Sequence, residues 1–257
     1  MNVLFNCSNS DKKQSNFVNI LKKMVNSGRF NLKNKVAIVF REEEKYGEAI
    51  ASAFTDAGAL ISNKEHASNP RDAVLNAVSD HGHLDILVTT PTFAKAEAAE
   101  RTSTDQFKKN IDLNLGEIFF WCQAAAEQMS IQEPVGGTII NVSSVSGVVG
   151  LAGQVAFCSA MAGVNAITKT LATEWKEYGI RVLSLGAGLG KDLSEIETLE
   201  ILLPDGRIGH RRLPENTLKE TYELAQIATF LASDASQLIN GTTVYADAGW
   251  LADGYWE

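Results

Sequence analysis

The stretch GGTIINVSSVSGVVGLAGQVAFCSAMAGVNAITKTLATEW, residues 136–175, decides the fold of this chain. It begins with a short apolar run, GTIINVS, that suits a buried parallel strand. A helical pattern follows from Ala156 to Tyr178, and Gly179 ends it. A strand that leads into a helix through a short connection is the unit of open parallel sheets.

The same unit recurs along the chain. Four further runs predict strands: KVAIVF, DILVTT, IRVLSLG and TTVYAD. Between them, helical patterns are centred on IASAFTDAG and DAVLNAVSDHG, and cover Thr104 to Met129 and Thr217 to Ala232. Alternating strands and helices with short connections predict an α/β fold with a doubly wound parallel sheet.

Composition narrows the classes of function. The 257 residues are 45% apolar and 21% charged, with a net charge of −8, as in an ordinary globular protein. The acidic balance argues against nucleic acid and anionic membranes as partners. Three cysteines without metal-ligand spacing indicate free thiols in a reducing compartment, and no metal site is expected. Without a signal peptide or an apolar window long enough to span a membrane, we expect a cytoplasmic location.

Residues 1–30 differ from the rest and are predicted to form an N-terminal extension. Its apolar side chains recur at helical spacing, which predicts an amphipathic helix: Phe17, Ile20, Leu21, Met24 and Val25. This helix either docks on its own domain or binds a partner. Residues 31–257 are predicted to form the single α/β domain.

A series of phrases carries a resemblance to a known family. In order, they are KVAIV, AGA, HLDILV, DLNLGEIF, GGTIINVSSVSG, AGVNAITKTLATEW, GIRV, TFLASDAS and LINGTTVYADAG. In this order they resemble the classical short-chain dehydrogenase/reductase family. The resemblance implies a Rossmann-like fold, here shortened after the second strand, because AGALISNKEHASNPRD leads almost at once into the next helix.

The resemblance also implies a phosphate-binding turn of the form TGxxxGxG after the first strand, where glycine lets the backbone approach a pyrophosphate. Here the segment contains Arg41, Glu42, Glu43, Glu44 and only one of the glycines, Gly47. A carboxylate about 5 Å from a phosphate, at an effective dielectric near 20, repels it by about 3 kcal/mol. Arg41 offsets part of this repulsion only. We therefore expect no bound NAD or NADP, and no other cofactor.

The family's catalytic set is Asn, Ser, Tyr and Lys, the last two in a YxxxK spacing. Two positions match, Asn114 and Ser144, whereas Phe157 replaces the tyrosine and Met161 the lysine. A phenyl ring and a thioether cannot transfer a proton, and general acid–base catalysis requires a titratable group. The sequence therefore predicts a degenerate member that has no catalytic residues and is not an enzyme on its own. Asn114 and Ser144 have an equally good structural interpretation, at a helix irregularity and as a cap at a strand end.

The segments that form subunit interfaces in this family keep their apolar, family-like character: Thr104–Met129, Ala156–Tyr178 and Thr217–Asp247. We therefore predict a non-catalytic subunit of a heterotetramer with an active homologous NAD-dependent dehydrogenase. The family precedent is a paired dehydrogenase of a hydroxybenzylsuccinyl-CoA thioester, which suggests a CoA thioester as substrate.

Two alternatives stay open. One is a cofactor-independent enzyme that uses Ser144 and Asn114. The other is a sensor or carrier of an acyl thioester, with the basic run His210-Arg211-Arg212, in a predicted loop, as a site for its phosphates.

Overall fold

The computed structural model describes residues 30–41, 45–62, 69–93, 96–188, 198–202, 208–212 and 221–252. Two predictions fall outside these residues: the N-terminal helix and the acidic turn Glu42–Glu44.

Eight strands and six α-helices are described. The strands are β1 (Val36–Phe40), β2 (Leu60–Ile61), β3 (Ile86–Thr89), β4 (Gly137–Ser144), β5 (Ile180–Ala187), β6 (Thr198–Leu202), β7 (Ile208–Arg212) and β8 (Thr243–Ala246). The helices are α1 (Lys45–Asp56), α2 (Pro70–His81), α3 (Thr104–Ile111), α4 (Glu117–Met129), α5 (Val155–Glu174) and α6 (Thr221–Ala232).

Six of the strands form one parallel sheet in the order β2-β1-β3-β4-β5-β8. The chain runs outward from β1 to β2 and then returns to place β3 on the other side of β1. The point between β1 and β3 is therefore the topological switch, where ligands bind in open α/β sheets. This arrangement confirms the predicted Rossmann-like, doubly wound fold.

Helices cover both faces of the sheet. α1 and α6 pack together on one face over a core that includes Phe54, Val39 and Leu183. α2, α4 and α5 cover the other face, over a core that includes Trp121 and Ile139. The central strands are buried on both sides, which explains why they read as continuous apolar runs.

The predicted helix from Thr104 to Met129 is interrupted. Asp112–Gly116 forms a π-helical turn between α3 and α4, so that one residue is added to the turn that carries Asn114. The predicted helix from Ala156 also ends earlier, at Glu174, and a 3₁₀ turn leads to Gly179, which has a φ of 67°. Glycine adopts this left-handed conformation without a Cβ clash.

The prediction that His210-Arg211-Arg212 lies in a loop was wrong. These residues belong to β7, which pairs with β6 in a separate antiparallel hairpin. Backbone pairing decides this, and the basic side chains in the sequence gave no signal for it.

By length and composition alone, α5 would also be able to cross a membrane, with a mean hydropathy of 1.3. Half of its most apolar window is buried inside this domain, where it packs against β4 and β5. Its apolar character is that of a core helix.

Candidate functional site

Phe157 and Met161 occupy successive turns at the start of α5. Both face the core beneath the sheet, where Phe157 is 4% exposed and Met161 is fully buried. The Phe157 ring lies 5.1 Å, centroid to centroid, from that of Phe93, which follows β3. Where the family's proton-transfer pair would stand, this chain has apolar packing.

Asn114 lies in the π-helical turn and binds the loop after β3. Its Oδ1 accepts a hydrogen bond from the Thr92 backbone N–H at 2.7 Å, and its Nδ2 donates to the Thr92 carbonyl at 2.9 Å. The second amide proton is donated to Oδ1 of Asn110 at 3.3 Å. Both amide protons are used within the fold, which is the role at a helix irregularity that the sequence allowed.

Ser144 ends β4, and its side chain is turned into the following 3₁₀ turn. Its Oγ accepts a hydrogen bond from the Ser146 backbone N–H at 3.2 Å, and the residue is 4% exposed. Ser144 thus caps a short helical turn, which agrees with its structural interpretation from the sequence. The structure does not connect Ser144 with Asn114 by any hydrogen bond among the described residues.

Arg41, in the turn after β1, has an unexpected position. Its backbone has a φ of 58°, in the region that favours glycine, and its side chain is 8% exposed. The guanidinium donates to the carbonyls of Thr90 at 2.6 Å and Leu113 at 2.8 Å, and to Glu117 Oε2 at 3.0 Å. Its carbon lies 4.4 Å from the centroid of the Phe40 ring. The guanidinium thus points inward, towards groups that lie far from Arg41 along the chain.

These positions bear on whether a dinucleotide fits at the switch between β1 and β3. Arg41 fills the gap between the two strand ends with a buried, hydrogen-bonded side chain. Beside it, the ring of Phe93 lies 6.0 Å from Tyr46 and 5.1 Å from Phe157, so that three aromatic rings line up across the crevice. The described residues do not form the glycine-lined cradle that a pyrophosphate contacts.

A cavity of about 350 Å³ opens next to Phe157. Its walls come from the loop after β3, from α3 and from the start of α5. The lining residues are Thr92, Phe93, Glu97, Thr102, Gln106, Lys109, Asn110, Leu113, Gly153, Gln154, Val155, Ala156 and Phe157. The cavity therefore combines aromatic walls with two side chains that can carry charge, Glu97 and Lys109.

Sequence reasoning missed Glu97, Lys109 and Asn110. They belong to no family motif, and their separation along the chain gives no sign that they meet. The one available signal was the capping box of Ser103 and Gln106, which fixes where α3 begins and hence which side chains face the cavity.

Burial changes the pKa of two further side chains. Burial raises the pKa of the Cys122 thiol from 9.0 to about 12, although its Sγ lies 3.2 Å from Asn141 Oδ1. Burial also raises the pKa of Tyr245, whose hydroxyl accepts a 3.4 Å hydrogen bond from Asn165. Cys122 is thus an inert, protonated thiol in the core.

Within the described part of the chain, no three His, Cys, Asp or Glu side chains are grouped so that they could hold a metal ion. An ion-pair cluster lies at the opposite edge of the sheet. There, Asp85 lies 2.9 Å from His83 Nε2 and 3.3 Å from Lys35 Nζ.

Comparison with known proteins bears on the family and the activity. A family model described as enoyl-(acyl carrier protein) reductase matches residues 34–251. The D-threitol dehydrogenase of Mycolicibacterium smegmatis is 31% identical, with 86% of this chain and 94% of that protein covered. The NAD-dependent glycerol dehydrogenase of Listeria innocua is 30% identical, with 86% and 95% covered. A solved short-chain type dehydrogenase/reductase from Mycobacterium marinum shares the fold, with a TM-score of 0.73 at 24% identity over 88% of this chain and 98% of that one.

These relatives contradict the expectation that the chain is not an enzyme on its own. Proteins about 30% identical over most of its length are named as dehydrogenases, which points to an enzyme. The replacement of the tyrosine–lysine pair removes one route for a proton and leaves open the use of other titratable groups. Glu97 and Lys109 are titratable groups that line the cavity beside Phe157, and local sequence could not place them there.

The fold, the matched family model and the covering relatives agree with the phrases found in the sequence, and this chain belongs to the short-chain dehydrogenase/reductase family of oxidoreductases.

Proposed function

We propose that this chain is one subunit of an oxidoreductase and is assembled with a homologous dehydrogenase that carries the family's tyrosine and lysine. The observation that carries the proposal is the burial of Phe157 and Met161 at the matching positions of α5. In this proposal the homologous partner adds the family's proton-transfer pair to the assembly, and the two chains pack through α4 and α5.

The outer surfaces of α4 and α5 support an assembly. Phe120 on α4 is 55% exposed, and Tyr178, just after α5, is 49% exposed. Between the two helices lies a groove of about 320 Å³ whose walls include Phe119, Leu171 and Trp175. Exposed aromatic side chains are enriched at protein interfaces, and here they lie near a groove with both polar and apolar walls.

A homologous chain is the partner that we propose because both helices lie in segments that resemble the family's own interfaces. A partner with the same fold presents the equivalent pair of helices, so that each groove can receive the aromatic side chains of the other subunit. The resulting interface is close to two-fold symmetric, which is the commonest arrangement in oligomers.

The substrate class of the assembly belongs to the same proposal. Relatives are named for small polyols, such as D-threitol and glycerol, and for 3-oxoacyl-(acyl carrier protein), which is a thioester. A CoA or carrier-protein thioester is the class expected from the sequence resemblance. We also propose that the assembly works in the cytoplasm.

The test is purification of the tagged chain from its native source under mild conditions. We expect a second, homologous dehydrogenase chain in equal amount, and substrate-dependent formation of NADH by the complex with a 3-hydroxyacyl thioester, D-threitol or glycerol. Phe120→Asp is expected to release the partner, since it places a charge in the proposed interface. The matched control is Leu75→Asp on α2, which is 61% exposed and lies outside the proposed interface.

Two results would count against the proposal. If the chain elutes only as a homo-oligomer without a second dehydrogenase, no such partner exists. If the purified chain alone oxidises one of these substrates with NAD as fast as the complex does, the partner adds nothing to the reaction, although the family assignment stands.

A further inference from the structure

We propose that the cavity beside Phe157 is a binding site for a small carboxylate with an apolar body. The ligand's carboxylate is held by Lys109, Asn110 and the first turn of α5, and its apolar part lies against Phe93 and Phe157. This inference concerns this chain alone and does not depend on a partner subunit.

The lining of the cavity contains one acidic side chain, Glu97, and one basic side chain, Lys109. Its one carboxylate, Glu97, is already compensated, because its Oε1 accepts hydrogen bonds from Arg101 Nε at 2.9 Å and from the Ala98 backbone N–H at 3.2 Å. Lys109 is exposed on α3, and none of the acidic side chains that the structure describes lies within ion-pair distance of its ammonium group. The charge left without a partner at this site is that of a cation.

A buried amide adds a donor at the same place. Asn110 lines the cavity and is only 7% exposed. Its Oδ1 accepts from Asn114, but across residues 30–41, 45–62, 69–93, 96–188 and 221–252 its own Nδ2 protons find no acceptor. Because Nδ2 is open to the cavity, an acceptor on a ligand can take its hydrogen bonds there.

The start of α5 also favours an anion in the cavity. Residues 153–157 line the cavity, and the N-cap residue Gln154 makes no side-chain hydrogen bond to the first turn. The first backbone N–H groups of a helix lack intrahelical acceptors, and the helix dipole makes this end favourable for an anion. Three independent donors (a lysine, a buried amide and a helix N-terminus) thus converge on one cavity, and a carboxylate is the acceptor that suits all three.

The remaining walls are apolar and limit the ligand's size. Phe93 is 50% exposed and lies against Phe157, with Leu113 and Val155 nearby. A volume of about 350 Å³ holds about a dozen non-hydrogen atoms at roughly 30 Å³ each. A carboxylate with a body of roughly six to nine carbons fits, whereas a whole CoA thioester is far too large for this cavity.

The experiment is titration of the full-length chain with hexanoate and with 3-phenylpropionate by calorimetry at low ionic strength. The neutral analogue 1-hexanol tests whether the charged end matters. Lys109→Gln removes the cation without entering the core. Lys108→Gln is the matched control, because it removes the same charge from the adjacent position of the same helix, which does not line the cavity. Thermal unfolding shows whether each variant folds.

We expect saturable binding of at least one carboxylate at a single site, weakened about tenfold by Lys109→Gln and left unchanged by Lys108→Gln. If both substitutions weaken carboxylate binding equally, the acid is attracted by the overall charge of α3, and the proposed site is wrong. Binding of 1-hexanol as tight as that of hexanoate would overturn the carboxylate assignment. Absence of binding by both acids would overturn the proposal as a whole, and none of these outcomes depends on the presence of a partner or on turnover.

Discussion

Replacement of Arg41 tests the unusual contacts at the end of β1. Arg41→Ala removes the two hydrogen bonds to the Thr90 and Leu113 carbonyls and the ion pair with Glu117. The left-handed backbone at this position, with its φ of 58°, stays the same. The variant therefore isolates the contribution of the side chain.

The expected loss can be estimated from these contacts. A hydrogen bond from a charged donor contributes about 1.5–3 kcal/mol, and Arg41 makes two such bonds to backbone carbonyls. The ion pair adds little, since the Glu117 side chain is 46% exposed. Release of the ordered side chain returns about 2 kcal/mol of conformational entropy. We expect Arg41→Ala to lower the free energy of unfolding by about 3 kcal/mol.

Two further variants sharpen the result. Arg41→Gly is expected to lose about 1 kcal/mol less than Arg41→Ala, because glycine adopts the left-handed backbone without the clash of a Cβ atom. Arg71→Ala is the matched control: it breaks an Arg–Glu pair of 2.8 Å in which the arginine is 67% exposed. Exposed pairs of this kind contribute at most about 1 kcal/mol.

Urea unfolding at pH 7, followed by circular dichroism, measures all three variants. If Arg41→Ala lowers the free energy of unfolding by no more than Arg71→Ala does, the Arg41 guanidinium is not held by the Thr90 and Leu113 carbonyls and does not fill the gap between β1 and β3.

Three other predictions concern the core and the cleft. Met161→Lys, which restores one family residue at a fully buried position, is expected to destabilise the fold by at least about 3 kcal/mol. Phe157→Tyr at the cavity wall should cost less than about 1 kcal/mol. Urea unfolding curves that show Met161→Lys as stable as the parent would contradict this. Above pH 9 the unfolded chain releases the Cys122 proton, whereas the folded chain keeps it up to a pKa of about 12. The free energy of unfolding of the parent should therefore fall with rising pH by about 1.4 kcal/mol per pH unit more than that of Cys122→Ala. Gly147→Ala is expected to cost about 1–3 kcal/mol, because a Cβ would meet backbone atoms of Met161 at 2.9 and 3.0 Å. Gly150→Ala, where a Cβ would meet nothing within 4 Å, should be close to neutral in the same unfolding experiment.

The sequence by itself determined the fold class and the family. The strands that became β1, β3, β4, β5 and β8 were visible as apolar runs, since strands buried on both faces must be apolar throughout. The helices were visible because each buries one face, and glycines such as Gly179 marked their ends. The same local rules located the residues that replace the family's tyrosine and lysine.

Local patterns could not predict where polar groups meet. The inward turn of Arg41 depends on carbonyls 49 and 72 residues away along the chain. The π-helical turn at Asn114 depends on the loop that it binds, and the hairpin of β6 and β7 depends on pairing between two segments. A period of hydrophobicity carries no information about such partners.

The chemistry of the cleft was also decided only by the tertiary structure. The sequence, in which Phe157 and Met161 replace the tyrosine and the lysine, predicts no titratable group at the site. Folding brings Glu97, Lys109 and Asn110 to the same cavity as Phe157, although the loop after β3, α3 and α5 are separate segments of the chain. The pattern of apolar residues determines which helices and strands form, because this pattern depends only on single residues and their spacing. The groups that face a common cavity follow from how those elements pack, which is a property of the folded chain as a whole.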